Sequence, residues 1–163
     1  MTVLVEPGSA DLDALLALSN AHEKEIGNFT KTEFSELVAL SFRTRMTGER
    51  DAFLIALSER APENAPNWRW FAARFPRFVY IDRVVVAEGS RKRGLGTLLY
   101  TDVMQAARDS AHTRLCCEVN IDPPNPGSDA FHARMGFEEI GRAYLPDRGK
   151  TVRYLMRDLT VSV

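Results

Sequence analysis

The stretch Val84–Tyr100, "VVVAEGSRKRGLGTLLY", constrains the fold more than any other part of the sequence. It begins with an apolar, β-branched run and continues with the consecutive cations Arg91–Arg93. Gly94 and Gly96 follow, and apolar residues then recur at the spacing of an amphipathic helix. The pattern predicts a strand that turns through a glycine loop directly into a helix.

A turn of this kind has the properties of an anion site. The first N–H groups of a helix lack intrahelical partners, and the helix dipole adds partial positive charge there. Glycines let the backbone approach a phosphate, and flanking cations add charge-assisted hydrogen bonds. The spacing lacks the third glycine of a dinucleotide motif and the Gly-Lys-Ser/Thr of a nucleoside triphosphate loop. Two interpretations are open, a pyrophosphate site and a structural turn with solvated cations.

Length, charge and cysteine content narrow the class of protein. The length of 163 residues predicts one domain, 1–163, which can bury a hydrophobic core without disulfides or a structural metal. A formal net charge of −1 gives no global field for nucleic acid or an anionic membrane, so neither partner is expected. No run reaches the length of a membrane span, and no signal peptide opens the sequence. Adjacent Cys116 and Cys117 would face opposite sides of a strand, so a disulfide between them is not expected. Together with the preceding features, this predicts a protein of the reducing cytoplasm.

The remaining segments predict an α+β (mixed α/β) fold around one sheet. A short strand precedes two helices, the first with Ser9 as its N-cap and the second with a capping box at Thr30–Glu33. Further strands lead into the strand–helix–strand unit. A short helix capped by Ser128 and ended by Gly136 comes next, and two paired strands joined through "PDRGK" complete the sheet.

Residues 59–77 do not follow either periodicity. The segment "ERAPENAPNWRWFAARFPR" contains three prolines and both tryptophans, and it is too irregular for a strand and too proline-broken for a long helix. One interpretation is a surface excursion whose aromatic side chains fold back on the core. The other is a wall over a ligand pocket, with Trp68, Trp70 and Phe71 binding the substrate.

Two motifs resemble one known family. "VAEGSRKRGLGTLLY" resembles the acyl-CoA-binding motif of the GNAT acyltransferases, Arg/Gln-x-x-Gly-x-Gly/Ala, which Arg91, Gly94 and Gly96 match. "NPGSDAFHARMGF", residues Asn125–Phe137, is similar to a later family segment, and its "NxxS…LHxxxGF" form occurs in a branch with the phosphinothricin-type acetyltransferases. The motifs have the family's order and separation, and with the element order the resemblance covers most of the chain.

The resemblance implies a fold and an activity. The expected fold is a single GNAT-like domain with a mostly antiparallel twisted sheet, a splayed parallel strand pair that binds coenzyme A, and about four flanking helices. The expected activity is N-acetyl transfer from acetyl-CoA, without a metal, to a primary amine of a small-molecule or amino-acid-like acceptor. In the family the amine attacks directly through a tetrahedral intermediate. Homodimers are common in the family.

The resemblance also assigns residues to coenzyme A. Backbone groups of Val84 and Val86 would pair with the pantetheine arm and supply an oxyanion donor, and Asn120 and Asn125 would bond its amides or shape the loop. Lys92 replaces a frequent family glycine and is expected to alter the charge of the loop more than its path. The complete expected set is Val84, Val86, Arg91, Lys92, Arg93, Gly94, Leu95, Gly96, Thr97, Asn120, Asn125, Ser128 and Phe131.

Acyl transfer to an amine also needs a proton acceptor. Tyr80, Asp82, Val84 and Val86 are alternate residues of one predicted strand and are expected to share a face. Family positions matching Tyr80 and Asp82 hold a base or a water, so Asp82 is the first candidate for the base and Tyr80 a substrate contact. Alternatively, Asp82 forms an ion pair with a neighbouring arginine such as Arg83 or Arg77.

Two further residues are catalytic candidates. Glu118 lies in an apolar strand, where a buried carboxylate needs a partner, and it is either a second base or the partner of an arginine. His132 stands where many family members have a tyrosine acid, so it either gives a proton to the leaving thiolate or packs. His22 and His112 are expected at the surface, and the cysteines in the core. The sequence shows no metal-ligand spacing.

Three functions compete. The first is the acetyltransferase, and the second is a catalytically weak or inactive GNAT-fold module that holds acyl-CoA or regulates a partner. The third, nucleic-acid binding through Arg91–Arg93, lacks a basic face and an aromatic platform. Turnover of acetyl-CoA against a set of amines separates the first two.

Overall fold

A computed structural model of the chain describes residues 1–22 and 28–161. The strands are β1 (Leu4–Val5), β2 (Arg43–Thr47), β3 (Ala52–Ser58), β4 (Val79–Val86), β5 (Arg114–Asp122), β6 (Glu138–Leu145) and β7 (Lys150–Asp158). The α-helices in the described ranges are α1 (Leu12–Asn20), α2 (Lys31–Leu40), α3 (Pro66–Ala72), α4 (Leu95–Asp109) and α5 (Pro126–Arg134). Short 3-10 turns precede α1 at Ser9–Asp11 and α4 at Glu88–Ser90.

The strands form one seven-stranded sheet in the order β1-β2-β3-β4-β5-β7-β6. Every neighbouring pair is antiparallel except β4 and β5, which are parallel. The parallel pairing covers only Val79 with Leu115 and Tyr80 with Cys116. Both strands run on beyond these pairs while bound to their outer neighbours, so a gap opens between them. The expected mixed fold with a splayed parallel pair is confirmed.

Each face of the sheet carries its own core. On the side called here the α4 face, Leu99 and Val103 of α4 pack against Leu115 and Cys117 of β5. On the other side, called the α3 face, α1, α2 and α3 pack against the strand residues that alternate with these, among them Cys116 of β5. Strand β5 therefore follows the expected alternation, and both cysteines are buried and unpaired.

A bulge in β4 changes which residues share a face. Arg83 pairs with Ile55 and Ile81 with Ala56, so Asp82 is an extra residue in the strand. Beyond the bulge, Val84 and Val86 pack on the α4 face, whereas Tyr80 packs on the α3 face. The expectation that Tyr80, Asp82, Val84 and Val86 form one row is wrong, because the inserted residue reverses the alternation.

Helix starts are partly as expected. The capping box at Thr30–Glu33 is confirmed, with the Glu33 N–H 3.2 Å from Thr30 Oγ1 and the Thr30 N–H 2.9 Å from Glu33 Oε1. Ser9 is not an N-cap, because Gly8 precedes the 3-10 turn and donates its N–H to Asp11 Oδ2. The prediction that Ser128 caps α5 is also wrong. Asn125 is the N-cap and accepts the Ser128 N–H, because Pro126 favours the first helical position.

The irregular segment contains a helix that the periodicity did not reveal. Pro66 begins α3 instead of breaking it, since proline needs no N–H partner at the first turn. At the segment's ends Arg77 forms an ion pair with Glu59, and Glu59 Oε1 lies 2.9 Å from Nε2 of His112. His112 is only 7% exposed and packs edge-on against Phe42, so its expected surface position is wrong.

Candidate active site

The gap between β4 and β5 exposes backbone groups of β4. The Ala87 N–H donates to the Asp51 carbonyl, 2.7 Å away, so Ala87 faces β3. Hydrogen-bonded and non-hydrogen-bonded residues alternate along an antiparallel pair. Val84 and Val86 therefore direct their N–H and C=O groups away from β3, toward the gap. This is the geometry that pairing with an extended amide-containing arm requires.

The loop before α4 holds a backbone cradle. Gly94 is the N-cap with a left-handed φ of 76°, and a Cβ there would meet nothing within 4 Å. Lys92 is also left-handed, with φ of 66°, so it keeps a glycine-like path while adding a charge. The first intrahelical bond runs from the Leu98 N–H to the Gly94 carbonyl. The N–H groups of Leu95–Thr97 therefore precede the helical hydrogen bonds and suit an anion.

The three cations of this loop have different surroundings. Arg93 lies 3.2 Å from Asp51 Oδ2 and is tied to the β2–β3 turn. Arg91 Nη2 lies 3.2 Å from Nε2 of His22, which also contacts the Leu18 carbonyl at the end of α1. The side chain of Lys92 is exposed. Lys92 and Arg91 are therefore more available to an anion than Arg93, because the charge of Arg93 is paired with Asp51.

Helix α5 closes one side of this region. A Cβ on Gly96 would lie 3.4 Å from the Phe131 ring, so glycine permits the close approach of α4 and α5. Asn125 and Ser128 form the start of α5, as described above, and Asn120 lies near the end of β5 opposite Val152. The structure therefore brings Phe131 against the expected loop residues at Gly96. Asn125, by contrast, is the N-cap of α5.

Glu118 lies at the centre of a hydrogen-bonded cluster on the α3 face. Tyr80 donates its hydroxyl to Glu118 Oε2 at 2.7 Å, and Asn67 donates Nδ2–H to Oε1 at 2.9 Å. Tyr154, which pairs with Glu118 in the sheet, donates to Asn67 Oδ1 at 2.8 Å. Burial raises the pKa of Glu118 to about 7, although both donated hydrogen bonds oppose the rise. The carboxyl therefore changes protonation near neutral pH.

Asp82 forms an ion pair on the same strand. Its Oδ2 lies 3.0 Å from Nε of Arg83, and Arg83 Nη1 donates to Ser19 Oγ at 2.8 Å. The Arg83 guanidinium also lies 4.1 Å above the Phe29 ring. Burial raises the pKa of Asp82, and the Arg83 charge opposes that rise. Of the two arginines considered from the sequence, Arg83 is the partner and Arg77 binds elsewhere.

His132 is enclosed by aromatic residues. It is 6% exposed and contacts Tyr100, Phe131 and Phe137 edge-on. Its Nδ1 lies 2.8 Å from the Ser128 carbonyl, which can only accept, so Nδ1 carries the proton. Nε2 then accepts the Tyr100 hydroxyl at 2.7 Å. Burial lowers the pKa of His132, so the ring is neutral at pH 7.

The aromatic residues of α3 pack against the sheet. Phe71 is fully buried beside Tyr80 and Tyr154. Trp68 donates its indole N–H to the Ser58 carbonyl at 3.2 Å. The Trp70 ring stacks on Tyr154 with a centroid distance of 4.1 Å. Of the three, Phe71 and Trp70 contact members of the Glu118 cluster directly.

Two members of the cluster were missed in the sequence. Asn67 lies in the segment without periodicity, and nothing in its surroundings signalled that its amide would reach β5. Tyr154 lies in a recognised strand, but alternation alone does not show which residue of a neighbouring strand it faces. The register of β5 with β7 supplies that information.

In residues 1–22 and 28–161 no three His, Cys, Asp or Glu side chains are grouped so as to hold a metal ion. No helix in the same ranges is both long enough and apolar enough to cross a membrane.

Solved structures with similar folds have low sequence identity to the chain. Arabidopsis thaliana NAA60 with a bisubstrate analogue has a TM-score of 0.76 at 16% identity, covering 97% of this chain and 98% of that one. The Escherichia coli ribosomal-protein-S18-alanine N-acetyltransferase has a TM-score of 0.72 at 13% identity, covering 100% and 97%. Salmonella typhimurium yncA, solved with its cofactor acetyl-CoA, has a TM-score of 0.71 at 14% identity, covering 100% and 96%.

The sequence itself identifies the family. No curated protein matches it significantly. Residues 55–137, just over half of the chain, match the Acetyltransferase (GNAT) family. That range includes β4, the glycine loop, β5 and α5, which are the elements around the gap. The chain therefore belongs to the GNAT family of acetyltransferases, whose acyl donor is acetyl-CoA.

Proposed function

We propose that the protein transfers an acetyl group from acetyl-CoA to a primary amine of a small-molecule or amino-acid-like acceptor, with Glu118 as the general base. The position of Glu118 carries the proposal. It lies on β5 beyond the last parallel pair, beside the gap, and its pKa of about 7 suits a base at neutral pH. An acceptor amine at this carboxylate would lose its proton as it attacks the thioester.

The residues around the gap fit acetyl-CoA. The N–H groups of Leu95–Thr97 suit the pyrophosphate, Lys92 and Arg91 add positive charge, and Val84 and Val86 offer backbone groups to the pantetheine amides. Acetyl-CoA, when bound, supplies the thioester that is attacked. The chain's own residues orient it, hold the amine and accept a proton.

Asp82 has a different role in this proposal. Its carboxylate balances the buried guanidinium of Arg83, which is 7% exposed. Protonation of Asp82 would remove the negative charge that lies 3.0 Å from this buried guanidinium, which costs the ion pair its attraction. We therefore rank Glu118 above Asp82 as the base, and Asp82 holds Arg83 and shapes the bulge of β4.

His132 is proposed to orient α5 and Tyr100. Its one N–H is bound to the Ser128 carbonyl, so a proton could reach a departing thiolate only after this contact breaks. This observation also favours the alternative function, a GNAT-fold module that binds acyl-CoA with little or no turnover.

Release of free coenzyme A thiol, measured with purified protein, acetyl-CoA and a panel of acceptors, tests the proposal. The panel combines free amino acids, small primary amines and short peptides with free N-termini. We expect turnover with at least one of the small amines, and a loss of about 10²–10⁴-fold in kcat for Glu118→Gln. Turnover with peptides alone would change the acceptor class. Acetyl-CoA binding without turnover would establish the module. Sedimentation velocity tests whether the chain forms a homodimer, as is common in the family.

A further inference from the structure

The amide of Asn67 links two side chains of the active-site cluster. It is 4% exposed, and it donates to Glu118 Oε1 at 2.9 Å while accepting from the Tyr154 hydroxyl at 2.8 Å. With Tyr80 on Oε2, each carboxylate oxygen of Glu118 accepts one hydrogen bond from a different element. The carboxylate is thus held from both sides while it lies beside the gap.

Tyr154 determines which way the amide points. If the amide flipped, its carbonyl oxygen would face a carboxylate oxygen, and two acceptors would repel each other. The Tyr154 hydroxyl opposes the flip because it donates to the amide oxygen in the observed orientation. Burial raises the pKa of Tyr154 to about 12, so the hydroxyl keeps its proton at working pH.

Packing of α3 fixes where Asn67 lies. Trp70, one turn away on the same helix, stacks on the Tyr154 ring and lies against Gly141 of β6. A Cβ on Gly141 would lie 2.4 Å from Cζ2 of Trp70, so the absent side chain leaves room for the indole. Phe71, fully buried beside Tyr80 and Tyr154, also anchors the helix on the sheet. The amide is therefore delivered by a docked helix and not by a free loop.

We propose that Asn67 is a positioning residue for Glu118, and that α3 is the element through which this chain orients its base. The inference rests on the proposed role of Glu118. A hydrogen bond donated to a carboxylate stabilises its charged form, so Asn67 both aims the carboxylate and makes it a base at lower pH.

The titratable and charged groups that interact electrostatically with Glu118 come from several elements and from both faces of the sheet. They are Tyr80 and Asp82 on β4, Tyr100 on α4, Cys117 on β5, Arg148 in the β6–β7 turn, and Tyr154 on β7. The tyrosines and the cysteine have pKa values raised by burial and stay neutral between pH 5 and 9. Substitution of Asn67 leaves all of these groups in the chain, so a shift in the titration of Glu118 reports on the amide.

The test is a titration of Glu118 in Asn67→Leu, which has a similar volume and no donor. In protein with ¹³C-labelled glutamate, the side-chain carboxyl resonance of Glu118, assigned with Glu118→Gln, gives the pKa without an acceptor. We expect the pKa to rise by about one unit or more. The kcat/KM should then fall roughly fivefold at pH 7 and recover near pH 9. A general packing defect would not recover with pH.

Two further variants complete the design. Tyr154→Phe keeps the ring that stacks on Trp70 but frees the amide, and it should give a smaller rise in the same pKa. Arg69→Ala, an exposed position on α3, is the matched control and should leave the pKa unchanged. An unchanged pKa in both Asn67→Leu and Tyr154→Phe, with Glu118→Gln inactive, would overturn this inference alone. Full activity of Glu118→Gln would overturn the proposed function.

Discussion

At the scale of single residues, Glu118 combines two opposing effects. Burial disfavours its charge, and hydrogen bonds from Tyr80 and Asn67 favour it. Burial without these hydrogen bonds would keep the carboxyl protonated at neutral pH. Without burial, the pKa would stay low and the carboxylate would be a weak base. The resulting pKa of about 7 lies above the ordinary glutamate value of 4.5.

This raised pKa has a consequence for stability. The native carboxyl keeps its proton up to about pH 7, whereas the unfolded chain releases it near 4.5. Between these values the unfolded state binds fewer protons, so the free energy of unfolding falls as pH rises. Glu118→Gln removes this loss and should be more stable than wild type at pH 8, by no more than about 3 kcal/mol. Urea unfolding at pH 4 and pH 8 checks it, and an equal difference at both pH values would contradict the assigned pKa.

His132→Phe separates packing from proton transfer. The variant leaves the Tyr100 hydroxyl and the Ser128 carbonyl without their buried partner, so the free energy of unfolding should fall by about 1–3 kcal/mol. We expect kcat to change less than tenfold, because the histidine N–H is already bound. Urea unfolding and steady-state kinetics measure the two effects. A kcat loss of about 10²-fold or more, at unchanged acetyl-CoA affinity, would instead identify His132 as the acid.

At the scale of elements, the sequence predicted most of the sheet because its signals are local. Strand β4 is an apolar, β-branched run, the loop after it carries Gly94 and Gly96, and α4 has helical periodicity. Thr30–Glu33 carries a complete capping signal. The bulge at Asp82 escaped prediction because one inserted residue leaves no mark on composition but reverses every later side chain. Helix α3 escaped because proline both starts and breaks helices, and only tertiary packing decides between these roles.

The candidate site was less predictable for the same reason. Glu118 stood out as a carboxylate in an apolar strand, and the anion loop stood out by its glycines. Their surroundings depend on long-range contacts, such as Asn67 reaching across 51 positions to Glu118. A sequence pattern shows that a buried carboxylate needs partners, but it does not name them.

The docking of α3 can be tested from the strand side. Gly141→Ala places a methyl group 2.4 Å from Cζ2 of Trp70, so the indole must move and lose its stacking on Tyr154. Overpacking of this kind typically costs about 1–3 kcal/mol. Urea unfolding and near-ultraviolet circular dichroism measure the loss of stability and the altered Trp environment. Gly48→Ala, where a Cβ meets nothing within 4 Å, is the control. Equal stability of the two variants would show that Trp70 does not depend on Gly141.

At the scale of the whole molecule, the splayed sheet separates two tasks. The loop before α4 is built from backbone groups and cations that suit the donor's pyrophosphate, and the cluster on the α3 face is built from side chains that suit proton transfer. The two regions lie beside the same gap between β4 and β5. A substitution that impairs acetyl-CoA binding at the loop should therefore leave the Glu118 cluster intact, and a substitution in the cluster should leave acetyl-CoA binding intact.

Ligand-induced stabilisation tests this separation, because a ligand that binds only the folded chain stabilises it by RT ln(1 + [L]/Kd). Acetyl-CoA at 100 times its Kd should add about 2.7 kcal/mol to the free energy of unfolding, seen as a rise in Tm. Gly94→Val should lose most of this rise, since valine strongly disfavours the left-handed φ of 76° and the N–H cradle would be distorted. Gly89→Val adds the same side chain to the same loop where no positive φ is required, and it should keep the rise. Glu118→Gln should also keep it while losing turnover. If Gly94→Val and Gly89→Val bound acetyl-CoA equally well by calorimetry, the pyrophosphate would not lie in this loop.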